Sequence, residues 1–128
     1  MNNQNMAVDS TGAVPVTIVN LTPHALNIAA DNGEVVTIPP SGTVARVETD
    51  RHLVNWMPVN GHIIEVYEPN FGEIVGLPER QPYTAYVVSA QVAQRTERSD
   101  VYSPGELVRN EAGQVIGCNG LTFHKTSI

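Results

Sequence analysis

The residues of this chain best suited to chemistry are its arginines. A guanidinium presents a planar fork of N–H donors that pairs with a phosphate at two points, which an ammonium group cannot do. The basic residues are six arginines and a single lysine: Arg46, Arg51, Arg80, Arg95, Arg98, Arg109 and Lys125. This composition favours recognition of a small anionic ligand. The alternative is surface ion pairing with nearby carboxylates, namely Glu79, Glu97, Asp100 and Glu111.

Three of the arginines fall in one stretch, residues 83–118, with Arg80 just before it. Its pattern predicts a buried strand at 84–88, a helix from Ala90 to Arg98 and then a hairpin. Ser89 precedes the helix and is a suitable N-cap residue. A helix start offers free backbone N–H groups, so these groups and the neighbouring arginines can hold a compact anion. The last turn of the helix carries arginines, which also suit the helix dipole.

A nucleobase bound beside these arginines needs a flat face on which to stack. Four aromatic side chains are candidates for that role: Phe71, Tyr83, Tyr86 and Tyr102. The competing interpretation is that these rings pack in the core and favour strand formation. Trp56, the only tryptophan, is expected to anchor the core or an interface rather than to contact a ligand.

Other kinds of site have no recognisable pattern in the sequence. The four histidines are scattered singly and no Cys-x-x-Cys is present, so nothing supports a metal site. Cys118, at the end of a predicted strand, is expected to be a small buried side chain. Nucleophile-elbow, Walker A and Gly-x-Gly-x-x-Gly motifs are absent. We therefore predict a protein that is not an enzyme and has no cofactor.

Length and charge limit the remaining possibilities. The 128 residues predict one β-rich domain at 13–128, preceded by a polar N-terminal arm at 1–12. The net charge of −6 opposes binding to nucleic-acid polymers and to anionic membranes. The low charged fraction, 16%, leaves surface for subunit contacts and favours a homo-oligomer. A single cysteine and the lack of a signal peptide or apolar span predict a cytosolic protein.

The predicted elements are mostly short strands bounded by proline, glycine and asparagine. Strands are predicted at 14–21, 25–29, 34–38, 43–48, 62–68, 71–78, 84–88, 107–109 and 114–116. Residues 49–60 are predicted to be irregular, and Pro15 is expected to limit its strand to an edge or a first-residue position. Turns are predicted at Asn60-Gly61, Pro69-Asn70, Ser103-Pro104-Gly105 and Asn110-Glu111-Ala112-Gly113. The expected fold is mainly β, similar to a β-sandwich of two packed antiparallel sheets, with one short helix near 90–98. An α+β description is the alternative.

Four segments of the chain resemble small proteins of phage and prophage genomes. They are Val-Asn-Leu-Thr-Pro-His at 19–24, Ile-Pro-Pro-Ser-Gly-Thr-Val-Ala-Arg-Val at 38–47, Phe-Gly-Glu-Ile-Val-Gly-Leu-Pro at 71–78, and 86–118, which includes Ser-Pro-Gly-Glu-Leu-Val-Arg-Asn-Glu-Ala-Gly-Gln-Val-Ile-Gly-Cys. The chain is further similar to the Thoeris anti-defence sponges of phages. Those proteins are small, β-rich, oligomeric and non-catalytic. They sequester the cyclic ADP-ribose-type signal of a TIR-domain enzyme, and some also hold cyclic oligonucleotides.

The resemblance implies a function in the cytoplasm of an infected bacterial cell. It implies that Arg46, Arg80 and Arg109 bind phosphate and that Phe71 or Tyr86 stacks on a base. With Arg95, these residues form the predicted ligand-binding set, and Arg109→Ala is expected to weaken binding.

Two other functions remain open. The protein is alternatively a phage structural or assembly component, such as a decoration or capping protein that depends on its N-terminal arm. A third possibility is a small nucleotide-acting hydrolase that depends on a residue such as His24 or Asp100.

Overall fold

The computed structural model describes residue 8 and residues 11–124. Most of the predicted arm at 1–12 and the last four residues lie outside this part of the chain. The described residues form eight strands and one helix in the order β1 (Thr17–Asn20), β2 (Leu26–Ala29), β3 (Val35–Ile38), β4 (Arg46–Val59), β5 (His62–Val75), β6 (Thr84–Val87), α1 (Ala90–Ala93), β7 (Val101–Arg109) and β8 (Val115–Phe123).

The strands form two sheets, which confirms the predicted mainly-β class with one short helix. Six strands pair in the order β1-β6-β7-β8-β2-β3, and β4 and β5 form a separate antiparallel pair. The pairing within the larger sheet differs from the antiparallel expectation. β1 with β6, β6 with β7, and β2 with β8 are parallel, whereas β2 with β3 and β7 with β8 are antiparallel. Parallel pairs need long crossover connections, and the β4–β5 hairpin lies within one of them, between β3 and β6.

The larger sheet curls until its two edge strands, β1 and β3, meet. The buried side chain of Asn20 makes this contact: its Nδ2 donates to the carbonyl oxygens of Ile38 and His24 at 3.1 and 2.8 Å. Its Oδ1 accepts from the backbone N–H and the hydroxyl of Thr22, at 2.9 and 2.6 Å. All the polar atoms of this side chain are therefore used, and the Thr22-Pro23-His24 bend is fixed against the end of β3.

Two groups of buried side chains lie on opposite faces of the curled sheet. The inner group is Leu26, Ile28, Val87 and Cys118. The outer group is Leu21, Ala45, Val47, Tyr86, Val88, Val92, Ala93 and Val101. The outer group contains side chains from α1 and from the chain entering β4, so the helix and the base of the hairpin cover the sheet at this point. Cys118 is buried, as predicted, but it lies inside β8, which continues through Asn119 and Gly120 to Phe123.

The β4–β5 hairpin is the largest departure from the sequence prediction. Residues 49–60 are strand rather than irregular, and Pro69-Asn70 lies within β5 rather than in a turn. Prolines are tolerated here because each strand of a two-stranded sheet has one edge with no partner, and a missing N–H on that edge removes no hydrogen bond. Asn60 and Gly61 form the predicted turn, with φ of 51° and 80°.

The helix and one predicted turn also differ from expectation. α1 ends at Ala93 instead of Arg98, because Val92 and Ala93 are its only buried side chains and no apolar residue follows at helical spacing. Its N-cap is Ser89, as predicted, whose Oγ accepts the Val92 N–H at 3.3 Å. Ser103-Pro104-Gly105 is part of β7 rather than a turn.

Candidate functional site

A cleft of about 280 Å³ lies where the hairpin meets the domain. Three segments form it: the bend after β1, the start of β4 and the start of α1. Its lining residues are Leu21, Thr22, Pro23, Val44, Ala45, Arg46, Val47, Thr49, Ser89, Gln91 and Val92. Each segment contributes a buried side chain to the outer group of the core, namely Leu21, Val47 and Val92, and this packing holds the three segments together. We call this space the hairpin-base cleft.

The polar groups lining the hairpin-base cleft suit an anion. Arg46 is its only charged side chain, and no carboxylate is among the described residues that line it. Thr22, Thr49 and Ser89 contribute hydroxyls, and Gln91 contributes an amide. The helix itself offers no anion site, since α1 is only four residues long and Ser89 already occupies one of its free N–H groups. Recognition in the cleft thus depends on side chains.

A cation and an aromatic ring lie together beside the cleft. Phe71 on β5 pairs directly with Thr49, which lines the cleft. The guanidinium carbon of Arg95 lies 3.9 Å from the centroid of the Phe71 ring, which is cation–π geometry. Phe71 is 37% exposed, so part of the ring remains accessible. The structure therefore brings together three residues of the predicted ligand-binding set: Arg46, Phe71 and Arg95.

The other three members of the predicted set lie elsewhere. Arg80 donates from Nη2 to the Ser99 hydroxyl at 3.1 Å. Tyr86 is 2% exposed and donates its hydroxyl to the Glu79 carbonyl at 2.9 Å, so its ring offers no face to a ligand. Arg109 is at the far end of β7, where its Nη1 donates to the Gly113 carbonyl at 2.9 Å.

The separation of Arg109 from the hairpin-base cleft follows from the strand length. The amide of Val88, the residue before Ser89, bonds to the Tyr102 carbonyl at the start of β7. Arg109 is seven residues further along β7, which corresponds to roughly 23 Å at the usual rise of a strand. Arg109 accordingly does not line the hairpin-base cleft, whereas Arg46 does.

Arg98 forms the ion pair that the sequence offered as an alternative to ligand binding. Its Nε and Nη2 donate to the two carboxylate oxygens of Asp100 at 3.0 and 2.8 Å. Its Nη1 donates to the Pro78 carbonyl at 2.7 Å. The hydrogen bonds from Arg98 lower the pKa of Asp100, and those to Asp100 raise the pKa of Arg98. Arg98 thereby links Pro78 to the segment that leads into β7.

A second, larger cleft of about 580 Å³ lies between β2 and the β7–β8 hairpin. Its lining is mainly apolar and includes His24, Leu107, Ile116 and Cys118. Cys118 is 4% exposed. The hydrolase alternative depends on a residue such as His24 or Asp100. His24 lines this second cleft, and Asp100 does not.

One further pair consists of a serine and a histidine, side chains that act together in catalysis in other proteins. Ser103 Oγ and His124 Nε2 are 2.6 Å apart. Ser103 is 2% exposed and His124 is half-buried, so the serine hydroxyl itself is hidden from solvent. No group of three metal-ligating side chains occurs in the part of the chain that the structure describes.

Sequence reasoning missed the polar lining of the hairpin-base cleft. Thr22 and Gln91 lie in the bend and helix, and Thr49 lies in a stretch predicted to be irregular. No spacing rule joins these three residues, because the cleft forms only when the hairpin base packs on α1.

Within the described residues, no helix is long and apolar enough to cross a bilayer. Comparisons of the chain with models of known families, with curated proteins and with solved structures find no match.

Proposed function

We propose that this protein binds a small anionic nucleotide-type ligand in the hairpin-base cleft and holds it without cleaving it. The ligand class is a cyclic ADP-ribose-type or cyclic-oligonucleotide signal, and the function is to remove that signal from a bacterial immune response during phage infection. The identity of the signal rests on the sequence resemblance. The location rests on the contacts around the cleft.

The observation that carries the proposal is the Arg95–Phe71 pair beside Arg46. A phosphate needs guanidinium donors, and a base needs a flat face. One arginine and three hydroxyl side chains line the cleft, and a second arginine lies on the exposed ring of Phe71, which pairs with Thr49 of the lining. At about 280 Å³ the cleft is near the lower limit for small-molecule sites, so it suits a phosphate or a single base of such a ligand.

Sequestration requires tight binding and slow release. Charge-assisted hydrogen bonds from two arginines, together with base stacking, supply this without a general acid or base. The hydrolase alternative depends on a residue such as His24 or Asp100. The two carboxylate oxygens of Asp100 accept from Arg98, however, so this carboxylate is engaged in the structure.

The experiment that tests the function is recovery of bound ligand. Purified protein is incubated with a panel of ADP-ribose-type and cyclic-oligonucleotide signals, freed of unbound compound and denatured by heat. Mass spectrometry then identifies what is released. Intact ligand in near-stoichiometric yield is expected. A chemically altered product would identify an enzyme, and no retained compound across the panel would remove the proposal.

A matched pair of arginine variants tests the location. Arg46→Ala removes the cleft guanidinium, whereas Arg109→Ala removes one at the far end of β7. Calorimetry with the recovered ligand is expected to show at least a tenfold loss of affinity for Arg46→Ala and little change for Arg109→Ala. The reverse pattern would move the site to the β7–β8 turn, near Arg109, which the resemblance includes among its phosphate-binding residues.

The structural alternative is supported by one specific feature, the exposed apolar surface of the outer hairpin. Such a surface also suits attachment to a larger assembly. Deletion of residues 1–12 distinguishes the two functions. A decoration or capping protein is expected to lose assembly on purified particles, whereas a signal-binding protein keeps its affinity.

A further inference from the structure

The outer part of the β4–β5 hairpin concentrates exposed large apolar side chains in a short stretch of the chain. Between Leu53 and Tyr67, eight large apolar side chains are 38–59% exposed. The central stretch, residues 53–64, contains no Asp, Glu, Lys or Arg. Trp56, the residue expected to anchor the core or an interface, is 58% exposed. It takes no part in either core cluster of this chain.

One face of the hairpin carries a stripe of these side chains. Residues directly opposite each other on paired strands share a face. Leu53 lies opposite Tyr67, and Trp56 lies opposite Glu65. The Tyr67 hydroxyl donates to the Glu65 carboxylate at 2.7 Å, and the Arg51 guanidinium lies 3.9 Å from the centre of the Tyr67 ring. These five residues define the arm face.

The hairpin is not self-sufficient as an isolated pair of strands. Two-stranded sheets are marginal in water without a surface to pack on, and among the described strands none pairs with either outer edge of this one. Only its base is buried against the domain, at Val47 and Ile74. The eight half-exposed large side chains are divided between the two faces of the hairpin, and Leu53, Trp56 and Tyr67, on the face described above, are 55%, 58% and 38% exposed.

The charges of the hairpin indicate the kind of partner. Between residues 46 and 75 there are five carboxylates and two arginines, and the whole chain carries −6. A nucleic acid or an anionic membrane is therefore repelled. The arm face itself holds one cation and one anion. Arg51 and Glu65 lie on opposite sides of the Leu53–Tyr67 level along the hairpin.

This arrangement is self-complementary. A two-fold axis at the level of Leu53 and Tyr67 reverses the strand direction. It therefore brings Arg51 to the level of Trp56 of the partner subunit and Glu65 of the partner subunit. Closed dimers use the same patch on both subunits, which requires charges that complement themselves in this way. The apolar side chains at the centre then meet their own counterparts.

We infer that the arm face binds a second copy of this chain and that the outer hairpin is the self-association element of the protein. The inference is independent of the ligand, since none of the five arm-face residues lines the hairpin-base cleft. Unpaired strand edges on both sides of the hairpin also allow dimers to extend into larger closed assemblies.

Because Trp56 is the only tryptophan, its fluorescence reports directly on the arm face of the unmodified protein. At high concentration, the emission is expected to be that of a buried indole, and the mass by light scattering is expected to be a multiple of 13.8 kDa. Dilution is expected to shift the emission to that of a solvated indole as the mass falls. A mass of 13.8 kDa throughout, or solvated emission in the assembled state, would overturn the inference.

Charge substitutions locate the interface. Trp56→Lys is expected to raise the dissociation constant at least about 30-fold, as loss of a central aromatic anchor does. Val35→Lys is the matched control, since Val35 is 60% exposed on the edge strand β3. Circular dichroism checks that both variants fold. Dissociation by Val35→Lys alone would place the interface at β3.

Vesicles separate self-association from membrane binding. Wild-type protein at a dilution where it is monomeric is mixed with vesicles of phosphatidylcholine, with and without phosphatidylglycerol. No change in the emission of Trp56 is expected. A shift to buried-indole emission on vesicles, with no assembly in their absence, would assign the arm face to a lipid surface and overturn the inference.

Discussion

The Arg95 guanidinium lies over the Phe71 ring, with 3.9 Å between the guanidinium carbon and the ring centroid. The two residues come from distant parts of the chain, β5 and the segment after α1. Phe71 pairs with Thr49 of the hairpin-base cleft, so this contact ties the hairpin to the helix beside the cleft. The pair is exposed, and its contribution to folding is therefore small, about 0.5–1 kcal/mol.

The Phe71–Arg95 pair is expected to matter more for binding than for stability. If a base stacks on this pair, Phe71→Ala and Arg95→Ala each reduce affinity by about tenfold or more, while the double variant loses less than the sum of the single free-energy changes. Phe71→Tyr keeps the flat face and is expected to bind as the wild type. Calorimetry with the ligand recovered from the protein measures all four variants. Additive losses would show that the two side chains act separately.

The Arg98–Asp100 pair predicts a pH dependence of stability. Arg98 lowers the pKa of Asp100 in the folded state below 3.8, its ordinary value. A lowered pKa means that the carboxylate stabilises the fold fully above that ordinary value and loses this contribution as the pH falls through the folded-state pKa. The side chains are 25% and 11% exposed, which places the contribution at about 1–2 kcal/mol.

Urea unfolding of wild type and Asp100→Asn at several pH values tests this dependence. The variant is expected to be less stable at pH 7, and the difference is expected to shrink as the pH falls below about 4. Glu34→Gln, at an exposed site in the β2–β3 turn, is the control and is expected to change little at either pH. A difference that stays constant down to pH 2 would contradict the ionic origin of the effect.

Asn20 predicts a large stability effect from a single polar side chain. It is 1% exposed, and its amide bonds to His24, Ile38 and Thr22. Asn20→Ala removes the Asn20 partner of the Thr22 N–H and the Ile38 carbonyl, both in half-buried residues, at an expected cost of about 2–4 kcal/mol in the free energy of unfolding. Asn32→Ala removes a similar turn bond on the surface and is expected to cost less than about 1 kcal/mol. Similar losses of stability in the two variants would show that the burial of Asn20 does not increase its contribution to the free energy of unfolding.

Most of the element types follow from the sequence because local chemistry decides them. The Asn60-Gly61 turn, the Asn110–Gly113 turn and the Ser89 cap need only neighbouring residues, and all three form as predicted. Pro15 was predicted to restrict its strand to an edge, and β1 is an edge of the larger sheet. The motif at 19–24 is also explained, since Asn20 and Thr22 in it build the bend itself.

The long hairpin and the ligand cleft could not be predicted in the same way. Pro58, Pro69 and Pro104 indicate turns in isolation, yet each lies within a strand. Whether a proline interrupts a strand depends on which edge it faces, which is a property of the pairing and not of the local sequence. The cleft depends on how the hairpin base packs against α1. Arg46, Phe71 and Arg95 were therefore predicted only as members of a six-residue ligand-binding set. The sequence did not indicate that these three lie at the cleft and that Arg109 lies elsewhere.

At Gly105, β7 and β8 lie too close together to admit a side chain. A Cβ added at this residue would press directly on the Asn119 carbonyl oxygen and would lie 2.7 Å from that of Gly120. Both obstacles are backbone and cannot swing away, so Gly105→Ala must push the two strands apart. We expect a loss of about 1–3 kcal/mol in the free energy of unfolding.

Gly72 is the matched control for Gly105, because it also lies in a strand. A Cβ there would be 3.5 Å from the nearest atoms, those of Glu48, which is ordinary contact. Gly72→Ala is therefore expected to change stability by less than about 1 kcal/mol. Urea unfolding measures both variants. Equal effects of the two substitutions would mean that the loss reflects glycine replacement in a strand generally, and not the close approach of β8 to Gly105.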